Sequence, residues 1–118
     1  MKTLVTALVA AATALGVTGI ASPAGTPKLT GTVGPGFTIT LKQGQRPVKT
    51  LKPGRYAFVV SDKASIHNFA IRGPGLNKAL TAVGFTGTKT VTLTLKRGTY
   101  TFYCQPHASS MRGTFRVA

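Results

Sequence analysis

Three metal-binding side chains stand in one short run, Cys104-Gln-Pro-His107-Ala-Ser-Ser-Met111. A second imidazole, His67, lies well upstream. The chain holds one cysteine and two histidines in all, so the run and His67 together use every one of them. A thiolate, two imidazoles and a thioether are the donors of a mononuclear blue copper site. In such a site the imidazoles and the thiolate lie in a trigonal plane, and the methionine makes a long, weak axial bond. Sulfur favours Cu(I) and imidazole suits Cu(II), so this donor set accommodates both states and an electron passes with little rearrangement. One cysteine and two histidines exclude a four-ligand Cys/His zinc site and fall short of a multinuclear copper centre. Taken singly, each residue has a plainer reading: a lone inward cysteine is usually a small core hydrophobe, and a lone histidine or methionine is usually packing. The four at this spacing are what point to a metal.

The elements that must position these donors read as strands. Phe37, Ile39 and Leu41 alternate with threonines. Tyr56, Phe58 and Val60 alternate with Arg55, Ala57 and Val59, and Val91, Leu93 and Leu95 with Thr90, Thr92 and Thr94. Each pattern has the two-residue period of a strand with one buried face. Tyr100, Phe102 and Cys104 share a face, with Tyr103 opposite. His67, Phe69 and Ile71 share another, with Asn68, Ala70 and Arg72 opposite. In Arg112–Val117, Phe115 and Val117 point inward. His67 and Cys104 thus fall on the core side at strand ends, where a polar group needs a partner. Lys96-Arg97-Gly98 reads as a tight hairpin, with Gly98 free to take positive φ. Pro74–Gly87 reads as irregular, with at most a helical turn near Leu76–Ala82. Short strands at this spacing predict an all-β sandwich or barrel, with Phe37, Phe58, Phe69, Phe102 and Phe115 packed between its sheets.

Length and charge narrow the function. The 118 residues suffice for one small domain. Residues 1–24 have the form of a secretory leader: Lys2, an apolar Leu4–Val17 stretch, then small residues at Gly19, Ala21, Ser22 and Ala24. Cleavage is expected after Ala21 or Ala24, leaving a domain over 25–118. The apolar stretch is short of the ~20 residues of a full span, and no later segment is apolar enough to cross a membrane. A secreted or periplasmic location follows, yet a single cysteine makes no internal disulfide. Fifteen Lys and Arg face one acid, Asp62, for a net charge of +14. One carboxylate excludes paired-carboxylate glycoside hydrolysis and all-oxygen Ca²⁺ or Mg²⁺ cages. A triad of Asp62, His67 and a serine has neither a nucleophile elbow nor an oxyanion motif behind it. The positive charge either keeps the chain soluble or steers it to an acidic redox partner or an anionic envelope surface. Nucleic acid is not expected, since no helix or aromatic platform is there to read it.

From Gly98 the sequence reads G-T-Y-T-F-Y-C-Q-P-H-A-S-S-M-R-G. This resembles the metal loop and preceding strand of plastocyanins and related small cupredoxins, and His67-Asn68-Phe69 resembles their upstream histidine segment. The resemblance implies a Greek-key β-sandwich of seven or eight strands over 25–118. It implies one type 1 copper held by His67, Cys104, His107 and Met111. Asn68 matches the asparagine that locks the two ligand loops together, and Pro106 matches the proline that withholds an N–H from the sulfur. Tyr103 matches a proposed remote electron route, and His107 the ligand whose ring edge reaches the surface. The spacer from His107 to Met111 is shorter than is usual in plastocyanins and longer than in amicyanins. The acidic patch of plant plastocyanins has no counterpart. The function implied is that of an exported, monomeric one-electron carrier, not an enzyme, because a fully ligated copper leaves no position for a substrate. The alternatives are copper storage or delivery to an envelope oxidase, and a basic binding sandwich whose metal residues are vestigial.

Overall fold

The computed structural model describes residues 25–118; the leader and its cleavage position lie outside the described residues. Ten strand segments form two five-stranded sheets. In chain order they are β1 (Lys28–Val33), β2 (Ile39–Gln43), β3 (Arg46–Pro47), β4 (Thr50–Leu51), β5 (Gly54–Asp62), β6 (Ala70–Gly73), β7 (Leu76–Ala79), β8 (Gly87–Leu95), β9 (Gly98–Tyr103) and β10 (Arg112–Val117). Two of them, β3 and β4, are only two residues long. The other eight match the strand number expected. One sheet runs β3-β2-β1-β5-β8 and the other β4-β10-β9-β6-β7. Pairing is antiparallel except for β1 with β5 and β4 with β10, which are parallel.

Alternation builds the core. In β5, Tyr56, Phe58, Val60 and Asp62 are buried in turn. Leu93 and Leu95 of β8 and Phe115 and Val117 of β10 do the same. Between the sheets Phe69 stacks on Phe102 at 5.8 Å and Tyr100 on Phe115 at 5.4 Å. Each aromatic so buried contributes about 1.5–3 kcal/mol by area alone. Gly31 of β1 faces Phe69 across the sandwich: a Cβ there would lie 2.8 Å from Phe69 Cε2.

Four expectations change. Phe37 is not in the core. It is 61% exposed, on the loop that precedes β2, because the Gly34-Pro35-Gly36 turn delays the strand until Ile39. Lys96-Arg97 is not a hairpin: β8 and β9 belong to different sheets, and the two residues carry the chain across the sandwich. Gly98 has the expected positive φ, 141°. Tyr100 fastens this crossing, its hydroxyl accepting from the Lys96 N–H (2.9 Å) and donating to the Lys96 carbonyl (3.0 Å). Leu76–Ala79 is a strand, not a helical turn; Pro74-Gly75, with Gly75 at φ 66°, folds it back on β6. Finally, the strand after His67 begins only at Ala70, so His67, Asn68 and Phe69 are loop residues, and Asn68 is buried with them.

Candidate metal centre

Loops 34–38, 63–69, 80–86 and 104–111 all emerge at one end of the sandwich, as the registers Val33↔Asp62, Asp62↔Gly87, Tyr103↔Arg112 and Ala70↔Ala79 require. The loop after β9 is shaped by its own backbone. Cys104 ends the extended segment, and Gln105–His107 make one 3₁₀ turn with Pro106 at its start. Pro106 fits there because the first turn leaves N–H groups unused in any case. His107 N–H donates to the Cys104 carbonyl at 3.1 Å, Met111 N–H to the His107 carbonyl at 2.8 Å, and Cys104 N–H to the Met111 carbonyl at 3.0 Å. The loop closes on itself, with Cys104 and Met111 buried at its two ends and Gln105, Pro106, Ser109 and Ser110 left exposed.

This brings His67, Cys104 and His107 together. Cys104 Sγ lies 3.8 Å from His67 Nδ1 and 3.5 Å from His107 Nδ1, and the two Nδ1 atoms are 3.1 Å apart. A point about 2.0 Å from all three atoms lies in their plane, close to metal bond lengths of about 2.0–2.1 Å to imidazole and about 2.3 Å to thiolate. Two imidazole lone pairs facing each other at 3.1 Å repel; a shared proton or a cation makes the approach favourable. His67 turns Nδ1 into this triangle and leaves Nε2 buried without a partner, a cost that something on the Nδ1 side must offset. The donor set and its spacing therefore fit a metal ion, and the mixture of soft thiolate with imidazole fits copper. Cys104 and His67 are fully buried and His107 is partly exposed. Met111 is 1% exposed and its backbone closes the loop. Tyr103 is buried on the opposite face of β9, beneath the Arg72 guanidinium at 4.4 Å from its ring centre.

Asn68 ties the two ligand segments together. Its backbone N–H points at Cys104 Sγ, 3.5 Å away. Its Oδ1 accepts from the Gln105 N–H at 2.8 Å, and its Nδ2 donates to Gln105 Oε1 at 2.8 Å and to the Thr81 carbonyl at 3.2 Å. Three neighbours of the site went unread in the sequence. Thr81 Oγ1 accepts from the Phe69 N–H and donates to Asp62 Oδ2, both at 2.9 Å. Asp62 Oδ1 also accepts from the Ala64 N–H at 3.3 Å, so the one acid holds the loop that carries His67. Phe37 packs edge-on against both imidazoles, with centroids 5.1 Å from His67 and 4.9 Å from His107. Its signal was the Gly-Pro-Gly turn just before it, which forbids a strand there.

The family model for copper-binding proteins of the plastocyanin/azurin family matches residues 45–118. The chain belongs to that family, and the fold and donor set define a type 1 copper protein of the cupredoxin class. Solved structures of rusticyanin share the fold. One, of the copper protein rusticyanin, superposes with a TM-score of 0.53 at 20% identity, covering 77% of this chain and 76% of that one. Reduced rusticyanin gives 0.52 at 23% identity and 82% of each chain. Amicyanin from Paracoccus versutus gives 0.45 at 18% identity, over 82% of this chain and 85% of that one. Among curated proteins none matches the sequence. Among the described residues no helix is long and apolar enough to cross a membrane.

Proposed function

We propose that this protein is an exported one-electron carrier. The observation that carries the reading is the triangle of His67 Nδ1, Cys104 Sγ and His107 Nδ1, whose edges of 3.1–3.8 Å match one metal ion at its centre. Copper bound here would supply a Cu(II)/Cu(I) couple, and His67, Cys104, His107 and Met111 would hold it. Asn68 keeps the donors in place whichever oxidation state is present, by bridging the two segments. His107 is the ligand with an exposed edge, so electrons enter and leave through its ring. Pro106 offers no N–H to the thiolate. The apolar surface around His107, with Phe37 at its centre, is where a redox partner comes close. Tyr103 is a second route only for a partner that displaces Arg72.

A protein that stores copper or hands it to an oxidase needs a site that opens. Here His67, Cys104 and Met111 are buried and the two ligand segments are cross-linked by Asn68, which favours retention. The test is the visible spectrum of the protein titrated with Cu(II), beside Cys104→Ser. An intense thiolate-to-copper band, saturating at one equivalent and missing in the variant, is expected. A colourless or pale-blue complex would overturn the carrier reading. Rapid loss of Cu(I) to a chelator would move the function to copper delivery.

A further inference from the structure

The two ends of the sandwich differ sharply in chemistry. The four loops at the metal end contain a single basic residue, Lys63, and no acid. Among the described residues the exposed large hydrophobics, Phe37, Ile66 and Val83, all stand on those loops. The opposite end is cationic. Its turns and strand ends carry Arg46, Lys49, Lys52, Lys96, Arg97 and Arg116, all exposed. Two chain crossings concentrate this charge, because Lys52 precedes β5 and Lys96 follows β8, and these strands meet there in the pair Gly54↔Leu95. No acidic side chain offsets it: the chain's one acid, Asp62, is buried at the metal end.

We infer that the cationic end docks on an anionic lipid surface, leaving the metal end facing away to meet its redox partner. The charge is spread over the turns of both sheets; the open pocket at residues 43–51 takes in only Arg46 and Lys49, so most of the charge faces outward, which suits a broad, flat polyanion more than the shaped site of a protein partner. Strand β1 starts at this end, since Lys28 pairs with Ala57 near the start of β5. The described chain therefore begins at the cationic end, and the apolar stretch Leu4–Val17 lies upstream of that end in sequence. The docking does not depend on the copper reading; only the use made of the free metal end does.

The test compares two triple variants of equal charge in the full chain. One is Lys52→Gln, Lys96→Gln, Arg97→Gln at the cationic end; the other is Lys63→Gln, Lys89→Gln, Arg112→Gln at or near the metal end. Binding is measured by sedimentation with phosphatidylcholine vesicles containing phosphatidylglycerol, and with pure phosphatidylcholine vesicles to subtract any contribution of the apolar stretch. Thermal melts confirm that both variants are folded. At about fivefold per basic residue at the membrane surface, the first variant should lose about a hundredfold in affinity for the anionic vesicles, and the second less than about tenfold. Wild-type binding should fall steeply as salt is added. Equal losses in the two variants would overturn the inference, showing net charge and no preferred end. Absence of wild-type binding to anionic vesicles would overturn it too, and polyglutamate binding lost in the first variant would then assign the cationic end to an acidic protein.

Discussion

Replacing Asn68 by alanine removes the cross-link between the two segments that carry the metal donors, and its cost can be worked from the bonds. Asn68 is fully buried. Its Oδ1 accepts from the Gln105 N–H, and its Nδ2 serves both Gln105 Oε1 and the Thr81 carbonyl. Gln105 is exposed, so water replaces Asn68 there and each of those two bonds is worth about 0.5–1 kcal/mol. Thr81 is 1% exposed, and its carbonyl left unpaired costs about 1–3 kcal/mol. The sum is about 3 kcal/mol, or a fall in Tm of about 10–20 °C for a domain of this size. Urea unfolding of the metal-free protein is the assay, because bound copper would add its own stabilisation. The midpoint should drop with the m-value unchanged. Asn68→Asp sharpens the test. It keeps the shape and the Gln105 N–H bond, but turns an acceptor oxygen toward the Thr81 carbonyl and Gln105 Oε1 beside the thiol. It should be at least as destabilising as alanine. A loss below about 1 kcal/mol in Asn68→Ala, or an Asn68→Asp protein as stable as wild type, would refute the cross-link as the device that holds the site.

Tyr100→Phe deletes both hydroxyl bonds to Lys96 and should cost about 1–2 kcal/mol in the same urea assay, with no change in the copper spectrum. Gly31→Ala drives a methyl group into the Phe69 ring and should cost about 1–3 kcal/mol; an unchanged midpoint would mean the sheets separate more easily than their packing implies. Phe37→Ala should shift the unfolding midpoint by less than about 1 kcal/mol, because the ring is mostly exposed. Loss of its edge contacts to the two imidazoles should nevertheless speed Cu(I) release to a chelator by about two- to tenfold per contact. An unaltered release rate would assign the ring to partner contact alone.

The all-β fold was legible because its strands alternate, and burial in β5, β8 and β10 follows that alternation residue by residue. Which strands share a sheet was not legible. Lys96-Arg97-Gly98 has the composition of a hairpin turn, and two residues serve equally well to cross between sheets; only packing of Tyr100 against Lys96 decides. The Leu76–Ala79 strand was missed because β7 is mostly exposed and shows no period, so pairing with β6 alone makes it a strand. At the site, His67, Cys104 and His107 could be found from residue type, and Asn68 only through the family resemblance of His67-Asn68-Phe69. Thr81 and Asp62 could not, since their roles are hydrogen bonds between loops distant in sequence. Phe37 looked like a core residue by hydrophobicity. Its place on the surface follows from the backbone turn before it, which outweighs the two-residue pattern after it.

The order of strands has a consequence in time. Strand β10 is not at an edge: it lies between β4 and β9, and through β4 it holds the segment that leads into β5. A chain that emerges N-terminus first, from a ribosome or from a membrane channel, therefore cannot complete the second sheet until residues 112–117 are free. The metal loop hangs between β9 and β10. Because β9 pairs directly with β6, Cys104 meets the His67 loop when β9 docks, and the bond from the Cys104 N–H to the Met111 carbonyl that closes the loop forms as β10 pairs. Before β9 docks, Cys104 and His107 lie side by side but His67 is apart from both, so the three-donor triangle is a product of tertiary folding and not of the local run.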